Sequence, residues 1–214
     1  MKIILTNFQL QILITFLGIL FMTSCTPPEE KPVDYFPLVH GAVYEYNDGV
    51  SRREVVFYDK KNSYDLFEIK IFSDDSLYIM KDQFIRSANR IYWYGFKSAD
   101  FGKIYFEPPI NLIPQIFDKD TTFSVSVREI HDADTENRIY NLRVSYRFMG
   151  KKNITVPAGV FDAIHYRYYI RYIGQPPEEA LMDFSGDWWF AKDVGLVKQT
   201  SAHTTLELSN YDIP

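Results

Sequence analysis

A single cysteine, Cys25, stands among the 214 residues. An intrachain disulfide is therefore excluded, and so is a zinc site built on two or more thiolates. Glycine and proline, 10 and 11 residues, are too few for a collagen-like or low-complexity chain. Positive charge is also scarce: 23 Lys and Arg against 28 Asp and Glu give a net charge of −5. Nucleic acid needs clustered cations to meet its phosphates, so it is a poor partner for this chain. Aromatic rings are the abundant class, with 16 Tyr and 17 Phe. Flat, stiff rings pack well on a pleated surface and favour strands. Hydrophobic residues make up 46% and charged residues 24%, a balance that sustains a packed core. The length suits one domain with a targeting segment.

The targeting segment is at the N-terminus. Lys2 supplies a positive start, and residues 12–22 form an apolar run. That run is short for a bilayer span, which needs about 20 residues, but suits an export signal. Met22-Thr23-Ser24-Cys25 follows, an apolar residue and two small ones before the cysteine. It resembles the lipobox of bacterial lipoproteins. The resemblance implies that the Cys25 thiol takes a diacylglyceryl group and that the processing machinery cuts before it. The alternative is an uncleaved anchor over residues 3–22, which Gln9 and Gln11 weaken as a span. In both cases the partner is a membrane. Thr26, rather than an inner-membrane-retaining Asp, follows the cysteine and favours the outer membrane of the cell envelope. Residues 1–24 then read as the signal, 25–34 as a proline-rich tether and 35–214 as the domain. A tether containing Pro27, Pro28 and Pro32 is extended, at roughly 3 Å per residue.

From Tyr35 onward the hydrophobic period is two. Leu142, Val144, Tyr146 and Phe148 fall on one face, with Asn141, Arg143, Ser145 and Arg147 on the other. Ile164, Tyr166, Tyr168 and Ile170 likewise oppose His165, Arg167, Tyr169 and Arg171. Residues 122–128 and 204–208 alternate in the same way. Further candidate strands are 42–47, 53–59, 64–72, 76–80, 83–87, 90–96 and 103–106. Asn47-Asp48-Gly49, residues 73–76, Val156-Pro157-Ala158-Gly159 and residues 192–195 are turn sequences. Residues 108–117 contain three prolines and read as an apolar loop or short helical turn. Closely spaced strands with tight turns predict an all-β fold with little helix: one antiparallel half-barrel or barrel.

The polar faces carry Arg143, Arg147, Arg167 and Arg171. If the two strands are neighbours, these form a basic stripe on an acidic protein. The expectation is that Asp and Glu on adjoining strands meet them; the alternative is docking of an anionic partner.

Three segments carry a family resemblance. Tyr35-Phe36-Pro37-Leu38, with Gly41 and then Tyr44-Glu45-Tyr46, is similar to a "YFPL, two residues, G, W-x-Y" start. Val156-Pro157-Ala158-Gly159-Val160-Phe161 is similar to "VPAG-x-F". Trp188 to Lys198 is similar to "W-Y-A-x-x-V-G-L-V-K". Together they resemble a group of uncharacterised bacterial envelope lipoproteins. The resemblance implies a β half-barrel or barrel, loosely like LolA-type carriers, and implies no catalytic residues.

Chemistry is otherwise sparse. His40, His131, His165 and His203 have no metal-ligand spacing, and His165 reads as a hydrogen-bonded surface residue. Asp132, Asp134 and Glu136 begin like a Ca²⁺ loop, but Asn137 replaces the required Gly and Arg143 the required Glu. Asp118, Asp120 and Thr122 fail similarly at Phe123. Asp183 and Asp187 flank Gly186 beside Trp188 and Trp189, a combination seen in sugar sites that also suits a turn beside buried indoles. No serine-nucleophile elbow or phosphate-cradling glycine loop occurs, and no metal or cofactor is expected. The leading expectation is a lipid-anchored, non-enzymatic binding or interaction module whose partner, protein or apolar ligand, the sequence does not name. The alternatives are a carrier of lipid or another apolar ligand inside the barrel, and a cryptic hydrolase.

Overall fold

The computed structural model describes residues 34–47, 51–61, 63–73, 78–87, 90–98, 102–111, 119–131, 138–175, 184–202 and 204–214. The signal and tether expectations at 1–33, including Cys25, lie outside the described residues. So do Asp118, Asp132, Asp134, Glu136, Asn137, Asp183 and His203.

Twelve antiparallel strands form a closed barrel. They are β1 (Val43–Tyr46), β2 (Ser51–Lys60), β3 (Asp65–Ser73), β4 (Tyr78–Ser87), β5 (Arg90–Ser98) and β6 (Gly102–Ile110), then β7 (Thr121–His131), β8 (Arg138–Val156), β9 (Gly159–Tyr172), β10 (Phe184–Ala191), β11 (Gly195–Ser201) and β12 (Thr205–Asp212). Each strand pairs with its neighbours in sequence, and β1 pairs with β12 to close the ring. Of the two expected architectures, the closed barrel is the one formed. Closure removes the sheet edges, where unpaired backbone groups invite aggregation.

The alternation sets what lies inside. Leu142, Val144 and Tyr146 of β8 are fully enclosed, as are Ile164, Tyr166, Tyr168 and Ile170 of β9. They join Phe96, Phe106, Trp188 and Phe190 in one buried cluster. Tyr44, Tyr46, Val55, Phe67, Phe84, Val197 and Leu208 form a second. Phe36 packs against both, with its ring 5.5 Å from Phe84 and 6.3 Å from Phe190. The segment 35–39 thus enters the barrel as a plug, with Leu38 only 1% exposed. The compact unit that holds the barrel comprises Asp34–Pro214. The Asp34 carbonyl accepts a hydrogen bond from the Asp193 N–H in the β10–β11 turn.

Three local expectations need correction. Residues 76–80 and 83–87 are not two strands: β4 runs unbroken through Lys81 and Asp82. Both charges find partners across the sheet or inside it, so they do not break the strand. Pro108 and Pro109 belong to β6 rather than to a loop. Proline cannot donate to a ladder, and the β5–β6 register accommodates this by jumping from Gly95↔Tyr105 to Trp93↔Ile110. Asp187 lies within β10, paired with Arg167, and not in a turn.

The β8–β9 hairpin is the longest element. Val156 pairs with Gly159 around Pro157-Ala158, where a turn was expected. A bulge between Phe148 and Gly150 bends it. Its far end reaches past the β10–β11 turn to β12: the Ala158 N–H donates to the Leu208 carbonyl, and Phe161 packs on Tyr211.

Candidate functional site

The outer face of β8, β9 and β10 carries a cluster of charged and polar side chains. It begins with register. Arg143 stands directly opposite Arg171, and Arg147 opposite Arg167. Like charges at facing positions destabilise a sheet, so this arrangement is unfavourable unless something meets it. Asp187, on the next strand, meets one of the four. Arg167 donates from Nε to Asp187 Oδ1 at 3.2 Å and from Nη2 to Oδ2 at 3.4 Å. Arg171 lies over the Tyr169 ring at 5.3 Å. Among the described residues, no carboxylate pairs with Arg143 or Arg147, and both are exposed. The expectation that adjoining acids would neutralise the stripe therefore holds for Arg167 alone. Opposite Arg143 the facing strand β7 offers Ser124, and just before β7 the carboxylate of Asp120 is taken up by the Phe148 N–H beside Arg147.

Beside the stripe, His165 Nε2 lies 2.6 Å from Asp187 Oδ1. His165 is 9% exposed, so it is an enclosed residue and not the surface histidine that was expected. Its ring stacks on Trp189 at 4.4 Å and 12°. Lys152 and Lys198 place their ammonium groups 5.6 and 5.7 Å from the centre of the same indole. Lys198 also pairs with Glu207 at 2.5 Å. Burial pushes the His165 pKa down, and the bond to Asp187 opposes that shift only in part. The histidine is thus held neutral near pH 7, a spacer between β9 and β10. The sequence placed His165 and Arg167 on one face but gave no sign that Asp187 would join them.

The interior holds a second polar group. Asp82 accepts a hydrogen bond from Trp93 Nε1 at 3.2 Å, with the Arg53 charge nearby. Burial holds its pKa up to about 6, against the pull of Arg53. Arg53 lies over the Tyr46 ring at 4.9 Å, and its Nε meets no acceptor. A cavity of about 40 Å³ adjoins it, lined by Phe36, Leu38, Tyr46, Val55 and Leu196 among others. That space suits a water molecule rather than an acyl chain. A second space of about 310 Å³ lies half open beside the hairpin end, between Tyr35, Lys151, Phe161, Asp162 and Lys192. Its rim is charged, unlike a lipid pocket.

Of the other candidate residues, His40 accepts a hydrogen bond from the Phe57 N–H at the surface, and Asp120 accepts one from the Phe148 N–H. Among the described residues, no group of three or more His, Asp or Glu side chains is placed to hold a metal ion.

Comparison with known proteins follows the barrel. The model of the DUF3108-like family matches residues 50–211. This chain belongs to the DUF3108-like family. The match spans β2 to β12 and leaves out the plug. No functionally curated protein matches the chain significantly. Among solved structures, a protein of Parabacteroides distasonis designated a lipoprotein is 13% identical. It covers 86% of this chain and 100% of its own, with a TM-score of 0.45. An exported protein of Bacteroides fragilis, designated as having a YmcC-like fold, is 13% identical over 84% of this chain and 99% of its own, with a TM-score of 0.42. The hypothetical lipoprotein YmcC of Escherichia coli is 9% identical over 100% of both chains, with a TM-score of 0.37.

Proposed function

We propose that this DUF3108-like protein is a lipid-anchored component of the bacterial cell envelope that works as a non-enzymatic binding or interaction module. Met22-Thr23-Ser24-Cys25 supports the anchor, with Cys25 as the acylated residue and the outer membrane as the favoured site. The observation that carries the binding role is the unneutralised basic face of β8 and β9, where arginine faces arginine across the ladder. A sheet retains such pairs at a cost in stability, and an anionic partner offsets that cost.

Among the described residues, the packing favours a filled core over an apolar cargo. Phe36 and Leu38 pack into the buried clusters, and the space beside them is about 40 Å³. A ligand pocket runs to several hundred Å³. The hydrolase reading gains His165 and Asp187 as a buried pair, but these are committed to Trp189 and Arg167 as a brace between strands.

Mass spectrometry of the native, detergent-extracted protein tests the reading. The expected spectrum has a mature N-terminus at Cys25 carrying acyl chains. A chain retaining residues 1–24, or a bound lipid in equimolar amount that survives delipidation of the anchor, would overturn it.

A further inference from the structure

We infer that the outer face of the β8–β9 hairpin is a docking surface for the anionic phospholipid headgroups of the membrane to which the chain is tethered. The inference rests on the anchored reading above and names the partner of the same face. Three observations converge on it.

The first is charge. Arg143 faces Arg171 and Arg147 faces Arg167, with Asp187 the acid that meets this set among the described residues. Guanidinium groups are suited to phosphate oxygens, which they grip with two parallel hydrogen bonds.

The second is the company the arginines keep. Ile139 is 64% exposed on the same outward row of β8 as Arg143. Met149, at the bulge after Arg147, is 43% exposed, and Ile173, bonded through its N–H to the Asn141 carbonyl, is 41% exposed. Tyr169 sits between Arg167 and Arg171. Cations interspersed with exposed aliphatic side chains and a tyrosine suit a headgroup layer, where the charged tips meet phosphate and the apolar tips enter its lower edge.

The third is the path of the chain. Tyr35 lines the same space as Lys151 and Ile164, so the polypeptide enters the fold beside the hairpin that carries the arginines. Nine residues separate Cys25 from Tyr35. Fully extended they span roughly 30 Å, which lets a barrel side lie on the bilayer.

The test uses residues 25–214 with Cys25→Ser, a chain that holds every strand of the barrel and no acyl group. It is sedimented with vesicles of equimolar phosphatidylglycerol and phosphatidylcholine, and with phosphatidylcholine alone. The expected result is at least tenfold stronger partition onto the anionic vesicles in 50 mM salt, lost in 500 mM salt as screening shortens. Each basic residue near such a surface contributes roughly fivefold. Arg143→Ser/Arg171→Ser should therefore lose tenfold or more, and Arg147→Ser several-fold, with thermal unfolding checked for each. Lys60→Ser/Lys97→Ser, on β2 and β5, should bind like the parent. Equal binding to both vesicle types, an unaffected arginine variant that is folded, or an equal loss in the lysine variant would each overturn the proposal. Self-association through this face in the absence of vesicles would overturn it too. Because the chain carries no acyl group, these failures leave the acylation of Cys25 to be judged by its own mass.

Discussion

His165 and Asp187 are joined diagonally across β9 and β10, Nε2 to Oδ1 at 2.6 Å, and Arg167 closes on the same carboxylate from the position directly opposite. One carboxylate thus serves a neutral imidazole and a guanidinium. Arg167 stands between it and the unmatched charge of Arg147 on β8.

Asp187→Asn should loosen this corner in two measurable ways. Arg167 is partly exposed, so the loss in urea unfolding is small. The second effect is on the His165 titration. Burial already lowers its pKa, and the Asp187 bond opposes that. Without the carboxylate the midpoint should fall further, read from the His165 ring proton by NMR. The unfolded chain then binds a proton that the folded chain refuses, so stability falls as pH drops below the ordinary histidine pKa of about 6.5. A midpoint that rises in the variant would refute the assignment.

Asp82 predicts a pH dependence of the opposite sign. Its folded pKa is held up to about 6 by burial, from an ordinary value of 3.8. Between those values the folded state holds the proton that the unfolded state has lost, so this group's contribution declines as pH rises from about 4 to about 6. Asp82→Asn keeps an acceptor for Trp93 and removes the buried charge. The variant should gain about 1–2 kcal/mol on the wild type at pH 8 relative to pH 4.5. Parallel stability curves for the two proteins would rule this out.

The barrel was largely legible because its strands follow a period of two. Residues at alternate positions in 142–146 and 164–170 lie inside as their spacing required. The arginine stripe was legible only on the condition that the two strands pair, and they do so in the register that sets arginine against arginine. The brace at Asp187 was not legible. It lies on a strand reached through residues 173–183, and sequence spacing carries no register across such a connection. Lys81 and Asp82 misled for a related reason. Adjacent charges resemble a turn, whereas Lys81 pairs with Glu68 on β3 and Asp82 faces the interior with Trp93. Their partners come from other strands, which local pattern does not reveal.

Gly186 marks a close approach between strands. A Cβ built there would stand 1.9 Å from the Thr200 carbonyl oxygen and 2.9 Å from the Tyr168 hydroxyl. The backbone oxygen belongs to the β11 ladder and cannot turn aside. Gly186→Ala should therefore cost more than about 3 kcal/mol or abolish soluble expression. Gly150→Ala is the control. A Cβ there meets nothing within 4 Å, so its cost comes only from a φ of +111°. Comparable melting temperatures for the two variants would contradict the packing at Gly186.

The plug decides between a filled and an open barrel, and Leu38 is its most enclosed residue at 1% exposure. It touches the cavity of about 40 Å³ that also borders Tyr46, Val55 and Leu196. Leu38→Ala should cost about 2–4 kcal/mol, because the surrounding strands are tied by their ladders and collapse only in part. The urea m-value should stay unchanged, since the barrel still unfolds as one unit. The enlarged void should also admit a small apolar probe such as benzene, seen by chemical-shift changes at Leu208 and Val55 that the wild type does not give. Full stability in the variant would mean that the segment 35–39 is not held in the interior. The barrel would then have room for a cargo, and the carrier reading would displace the surface reading argued from the arginines.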